Sequence, residues 1–293
     1  MKNTQTRRHL PYLYFALGLC ALFIASLAST SAPTQAALKP PASPYVGKLD
    51  SADCSSITGY AYDPNAIDQT LSVDLYKNSV HFATVPANLF RRDLFGAGLE
   101  NPYHGFALLT PSSFKDGNIY SIGANFATTS DGLSGSPKFI ACNSSLFANA
   151  VPATTASGEG KTWEQGVEIS SSLEGTIKEV KFWRAADEPQ GGHIARIWSN
   201  SGSLLASKSF TENSSPGWQS ATMNFRISPG DRYRITYNIH KTVAKTFFVF
   251  NNGPITKGPL TAWTSWYGTP AGNFPTSNSS SNFFADVVFN GPR

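Results

Sequence analysis

The sequence predicts an all-β protein, with two antiparallel β-sandwich domains of immunoglobulin-like or jelly-roll-like type in tandem behind an N-terminal export signal. Three observations predict it. Apolar and polar residues alternate over many short stretches, and turn dipeptides such as "DG", "SG", "PG" and "NG" separate those stretches. Beyond residue 36 no window sustains the three-and-four apolar spacing of an amphipathic helix.

At the N-terminus, Lys2, Arg7 and Arg8 precede an apolar run from Leu10 to Ala28, and "STSAPTQAAL" follows with small residues at Thr34 and Ala36. That order predicts a secretory signal peptide over residues 1–36 and a mature protein outside the cytoplasm, secreted or at the cell surface. The alternative is an uncleaved membrane anchor, since about 18 apolar residues span a bilayer. Cys20 follows Leu19 where a lipobox has a small residue, so no lipid anchor is expected. Removing the signal takes away three basic groups and no acidic one, which lowers the formal charge from +4 to +1. Without a basic excess to neutralise phosphates, nucleic acid is excluded as a partner.

The two remaining cysteines, Cys54 and Cys142, bracket one domain-sized segment. In an oxidising compartment they read as a single disulfide, with two unpaired buried thiols as the alternative. Neither has a second cysteine or a histidine at metal-ligand spacing. A mature chain of about 257 residues suits two domains. The Ser/Ala/Thr/Gly-rich stretch "NSSLFANAVPATTASGEGKT", residues 143–162, divides it into segments 37–145 and 146–293.

Alternation then places the strands. In the first segment Leu71, Val73 and Leu75 share one face of a strand, as do Tyr120, Ile122, Ala124 and Phe126. In the second, Met223, Phe225 and Ile227 alternate, and so do Ala285, Val287 and Phe289. "RYRITYNIH" puts Tyr233, Ile235, Tyr237 and Ile239 inward and assigns Arg234, Thr236, Asn238 and His240 to a solvated face. Trp183, Trp198 and Trp218 fall in or beside strands, where aromatic rings fill a core or its rim.

The ordered phrases "WEQGVEISSSLEGTIKEVKFWRA", "HIARIWSNSGSLLASKSFT", "GWQSATMNF", "ISPGDRYRITYN" and "GNFPTS…NFFADVVF" resemble the bacterial extracellular β-sandwich module named domain of unknown function 4082. The resemblance covers about residues 146–290. It implies a sandwich found with secreted, glycan-related and adhesive proteins, hence a surface binding role, and brings no catalytic set. In the first segment "GKLDSADCSSITGYAYDPN", "RRDLF", "YHGFALLTP" and "SPKFIAC" are similar to a small cystine-closed β-domain of exported bacterial proteins.

Catalytic patterns are thin. No histidine belongs to an HExxH pattern, and "GLSGS", residues 132–136, has serine where a nucleophile elbow needs its second glycine. Glycoside hydrolysis needs two carboxylates about 5–10 Å apart; Glu164, Glu168, Asp187, Glu188 and Asp286 are the available acids, with Asp286 expected on an outer or edge face. His104 in "YHGF" and His240 are expected in a turn and on a solvated face. No cofactor is expected. "DPNAID", residues 63–68, offers oxygens to calcium without EF-hand spacing, and is first a turn.

The stretch "LTAWTSWYGTPAGNFP" is expected to be a loop, because its glycines and prolines oppose a strand ladder. Trp263, Trp266, Tyr267 and Phe274 on that loop form either a lid over the sandwich end or a platform for sugar rings. The resulting expectation is an exported, non-catalytic protein that binds polysaccharide or cell-surface glycan. The alternatives are a structural or adhesive protein with a protein partner and, third, a glycan hydrolase. Adhesion would show as an apolar patch or open sheet edge, and hydrolysis as facing carboxylates in a cleft.

Overall fold

The computed structural model describes residues 44–157, 162–268 and 270–292. The proposed export signal lies outside the described residues. Residues 42–293 form one compact unit. Its chain order begins with β1 (Val46–Ala52), β2 (Ser56–Tyr62), β3 (Ser72–Lys77), β4 (Val80–Pro86) and β5 (Leu89–Phe90). A short helix α1 (Arg92–Gly96) leads to β6 (Tyr103–Leu109), β7 (Ile119–Phe126) and β8 (Lys138–Ser144). There follow β9 (Thr154–Ser157), β10 (Trp163–Ser171), β11 (Gly175–Arg184), β12 (Ile194–Ser199), β13 (Leu204–Ser209) and β14 (Gly217–Ile227). The chain ends with β15 (Tyr233–Ile239), β16 (Thr242–Lys245), β17 (Ile255–Lys257), β18 (Leu260–Gly268), β19 (Ser277–Ser279) and β20 (Ala285–Gly291).

All strand pairs are antiparallel, so the all-β sandwich expected from alternation is the fold. Two apolar clusters form, because period-two alternation gives each strand one face to bury. Leu49, Ile57, Val73, Leu75, Ile122 and Ile140 belong to the first. Val167, Ile177, Phe182, Ile197, Ile235 and Phe289 belong to the second. The first lies between the sheet β1-β2-β6-β5 and strands β8-β7-β3-β4, the second between β13-β12-β15-β10-β18-β17 and strands β14-β11-β20.

These two groups of strands are one sheet. Its order is β14-β11-β20-β8-β7-β3-β4, and the join is the pairing of β20 with β8, where Phe289 faces Ser144 and Gly291 faces Ala141. The last strand of the chain therefore closes one sandwich and extends the sheet of the other. Cys54 and Cys142 form a disulfide with their Cα atoms 5.6 Å apart, tying the β1–β2 turn to β8.

Asp286 is a correction to the outer position expected of it: it is fully buried on β20. Its Oδ1 accepts from the Leu146 and Val287 N–H groups at 2.9 and 2.8 Å. Its Oδ2 accepts from the Phe147 and Ala148 N–H groups at 2.9 and 3.1 Å and from the Ser145 hydroxyl at 2.6 Å. A buried carboxylate is tolerable only when its lone pairs are met, and successive backbone N–H groups of one turn meet them here. The charge that interrupts "FFADVVF" is the fastening between the last strand and the connection leaving β8.

His104 differs likewise. It is buried on β6 beside Tyr62, with ring centroids 5.5 Å apart, and burial lowers its pKa against the opposing pull of the Ile67 backbone and Asp68. Asp63 accepts from the Asn65 N–H at 2.9 Å, the local bond of an Asx turn. In "GLSGS" the Ser134 hydroxyl donates to the Gly47 carbonyl at 2.9 Å and holds that turn against β1.

Candidate functional site

The site is the outer face of the sheet β13-β12-β15-β10-β18-β17, and strand alternation assembles it. On β10, Gln165, Val167 and Ile169 point into the sandwich, which sends Glu164, Glu168 and Ser170 outward. On β15 the tyrosines and isoleucines point inward, and Arg234, Thr236 and Asn238 outward. All three outward residues are buried, contrary to the solvated face expected, and His240 is half-buried. The strands approach closely at Gly166, where a Cβ would lie 1.9 Å from the Ile235 carbonyl oxygen.

Trp263, Trp266 and Tyr267 are on β18, a strand and not a loop. The glycines and prolines of the stretch begin only at the last residue of β18, Gly268. The ladder between β10 and β18 slips by one residue beside Glu168, so Trp263 is the extra residue of a β-bulge. In a regular strand, residues 263 and 266 would face opposite sides. The bulge brings both indoles to the outer face, where the Trp263 N–H donates to the Ser170 hydroxyl at 2.9 Å and the Trp266 N–H to Glu168 Oε2 at 3.0 Å. Tyr267 pairs with inward-facing Gln165 and packs on Trp163 and Phe283, ring centroids 5.4 and 5.9 Å away. The structure thus separates Tyr267 from the other three aromatics of the stretch.

The real loop, residues 270–276, lies across this face. The Gly272 N–H donates to Glu164 Oε2 at 2.9 Å, and the Pro275 carbonyl accepts from the Arg234 guanidinium. Phe274 packs against Trp198 at 5.7 Å. Arg234 is held between two rings, 3.4 Å from the Trp266 centroid and 4.1 Å from that of Phe274. Trp266 and Phe274 thus clamp a buried arginine, whereas half-buried Trp263 stacks at 3.8 Å on Arg232, whose side chain is 42% exposed. Next to Arg232 is an open groove of about 680 Å³ lined by Ser199, Asn200, Ser201, Gly230 and Asp231.

The charges on this face are matched. Glu164 accepts from Arg196 at 2.8 Å and from the Thr236 hydroxyl; Glu168 accepts from Arg232 at 2.8 Å. Burial raises the Glu164 pKa, with Thr236, Arg196 and the Gly272 N–H pulling the other way. Glu164 and Glu168 are four residues apart on one strand, which sets their Cα atoms roughly 13 Å apart. Each carboxylate already has an arginine. Through the Gly272 N–H, Glu164 also links the sheet to its covering loop.

A second charged cluster fastens the end of the same sandwich. His193 is buried, and its Nδ1 lies 2.8 Å from Glu212 Oε1 and its Nε2 3.0 Å from Glu188 Oε1. Glu188 also accepts from the backbone N–H groups of His240, Lys241 and Thr242. Burial works against the charge on His193, but the two carboxylates outweigh it and raise its pKa. Burial likewise works against ionised Glu188, yet His193 and the three N–H groups lower its pKa on balance. Asp187, one residue earlier, is exposed. Among the described residues no group of three or more His, Cys, Asp or Glu side chains is disposed to hold a metal ion.

Reasoning from sequence missed Arg232, Arg234, His193 and Glu212. The signal for the two arginines is present, since "DRYR" places them on one strand face opposite "EQGVE". Nothing local marks Glu212, whose partner lies 19 residues earlier in the chain.

Residues 149–285 match the family model described as Domain of unknown function (DUF4082). The DUF4082 match covers β9 to the start of β20 and so contains the whole outer face, the bulged strand β18 and the charged cluster around His193. Neither the curated proteins nor the solved structures yielded a match to the chain.

Proposed function

We propose that the protein is an exported, non-catalytic binding protein that recognises polysaccharide at the open end of this sheet face. The observation that carries the proposal is the Trp263–Arg232 stack beside the groove lined by Asn200 and Asp231. A half-buried indole fixed by its own N–H bond offers a ring edge to a sugar, at little cost in side-chain ordering. The groove supplies hydroxyl, amide, carboxylate and guanidinium groups with both signs of charge, which suits neutral hydroxyl-rich chains better than a polyanion. Glu164 and Glu168 belong to the frame of the site. The order of basic, apolar and small residues in segment 1–36 supports delivery outside the cytoplasm.

A glycan array probed with the protein and with Trp263→Ala tests this reading. The variant loses the array signal while its melting temperature stays within a degree or two of the parent. An unchanged array signal in Trp263→Ala rejects the site. The second reading, a structural or adhesive protein with a protein partner, draws support from one observation: Phe90, Phe95 and Tyr103 form an exposed apolar cluster elsewhere on the molecule.

A further inference from the structure

We propose that an open groove on the outer face of the first sandwich is a saccharide site in its own right, separate from the Trp263 face, and that it takes a short neutral oligosaccharide. The groove holds about 420 Å³, within the roughly 300–1,000 Å³ of small-molecule sites. Tyr120, Ile122, Ala124 and Phe126 of β7 point into the core, so Ser121, Gly123 and Asn125 face outward and make its floor. Tyr76, directly opposite Gly123 on β3, also lines it, as do Ser79 of the β3–β4 turn and Ser136.

Two residues of this groove are not the ones the fold alone would select. Glycine inside a strand weakens it, and marks close approach by another backbone or by a ligand. At other strand glycines the crowding is plain: a Cβ would come within 1.9 Å of a neighbouring atom at Gly166, 2.2 Å at Gly59 and 2.3 Å at Gly175. At Gly123 the φ is not left-handed, and such a Cβ would meet Tyr76 Cβ at 3.5 Å and the Ser136 hydroxyl at 3.9 Å, which are ordinary contacts. Outside its chain neighbours those are the two atoms within 4 Å, so the Tyr76 ring does not cover the glycine. What is left to approach Gly123 is a ligand. Ser79 is the converse. Asn78 and Ser79, the central residues of the two-residue turn between β3 and β4, have φ of +49° and +67°. That turn favours Asn-Gly, because a serine in the left-handed region is strained and a glycine is not. Backbone strain is kept at sites that use it. Glycine thus stands where a side chain would stabilise, serine stands where glycine would, and both face one groove.

The lining chooses the ligand. The Ser136 hydroxyl accepts from the Ala124 N–H at 2.8 Å, which orients it and leaves its proton to donate. Asn125 Nδ2 donates to the Ser130 carbonyl at 3.1 Å, which fixes the amide and leaves Oδ1 to accept. The hydroxyls of Tyr76, Ser79 and Ser121 have no protein partner among the described residues. Donors and acceptors around one aromatic ring match the hydroxyls and the apolar face of a sugar. Among the described residues no charged side chain lines the groove. Asp74, two residues along the same face of β3, accepts from the Thr84 hydroxyl and lies 3.3 Å from His81 Nε2. A polyanion or a metal ion therefore finds no counter-charge. A peptide strand finds no free ladder, because β7 is paired with β3 and β8 on its two edges and β3 with β4 and β7.

An open groove holds a short chain weakly, so binding is read in solution, by saturation-transfer NMR with cellohexaose, xylohexaose, laminarihexaose and chitohexaose at millimolar concentration. The starting protein carries Trp263→Ala, which keeps the outcome separate from that of the site on the second sandwich. Saturation passes from this protein to at least one of the oligosaccharides. Adding Gly123→Val fills the floor and abolishes the transfer, and adding Ser79→Gly weakens binding about threefold or more. Both additions leave the melting temperature at or above its starting value, because each replaces a residue that its strand or turn disfavours. Absence of transfer to every one of the oligosaccharides overturns the proposal, and so does transfer that Gly123→Val leaves unchanged. A Gly123→Val protein that melts several degrees lower also overturns it, because the glycine then serves the strand.

Discussion

Replacing Asp286 with alanine removes the acceptor of four backbone N–H groups and one hydroxyl at the joint between the two cores. The Ala148 N–H retains a second acceptor in Ser145 Oγ at 3.1 Å, and the Val287 N–H lies within a strand. Leu146 and Phe147, both buried, are left with unmet donors. At about 1–3 kcal/mol for each stranded buried group, the expected loss is roughly 2–6 kcal/mol. For a chain of this size that lowers the melting temperature by about 5–20 °C. Asp286→Asn keeps one acceptor oxygen and loses about half as much. Urea unfolding followed by tryptophan fluorescence is a suitable assay, because the Trp218 N–H donates to the Ala150 carbonyl in the same connection and reports on it. A loss below about 1 kcal/mol in the alanine variant, or an asparagine variant less stable than the alanine one, would refute the assignment of Asp286 as the fastening.

Three further outcomes are expected. Cys54→Ser opens a link between residues 88 apart and lowers stability by about 2–5 kcal/mol, measured by urea unfolding under non-reducing conditions. The clasp of Glu188, His193 and Glu212 gives a signed pH dependence. The raised His193 pKa contributes stability that is complete below 6.5 and is lost as pH rises through its folded value, whereas the lowered Glu188 pKa contributes stability that is complete above 4.5 and is lost as pH falls through its own. Stability from the clasp therefore peaks between 4.5 and 6.5, and His193→Gln removes the alkaline decline in a series of urea melts; a decline that survives unchanged in that variant points to another group. Trp266→Ala exposes the Arg234 guanidinium and removes the indole hydrogen bond to Glu168 Oε2, so it lowers the melting temperature, in contrast to Trp263→Ala.

Strand alternation made the fold class legible, because a half-buried strand has to show a period of two whatever its partners. Val73 and Leu75, Ile122 and Ala124, and Val287 and Phe289 all point into the cores. Alternation says which side of a strand a residue takes and not what covers that side. Arg234, Thr236 and Asn238 follow their expected face and are nevertheless buried: the loop carrying Phe274 folds over Arg234 from 40 residues further along, and Asn238 donates to the Gly192 carbonyl and accepts from the Ile194 N–H. Trp263 and Trp266 were legible as a pair of aromatics but not as neighbours on one face, because a one-residue bulge has no signature in "TAWTSWYG". Asp286 shows the limit most plainly: a charge in an apolar strand reads as an edge until the turn that supplies its N–H groups is known.

The position of β20 sets the order in which the molecule can be made. That strand pairs with β11 on one side and β8 on the other, and it is built from residues 285–291, later in the chain than either neighbour. Until those residues leave the ribosome, β11 and β8 each have an unpaired edge, the Asp286 carboxylate is missing, and neither core is closed along that line. Completion of both halves is thus a single event that waits on residues 285–291, and the stretch of β structure released before them must stay free of wrong partners until it happens.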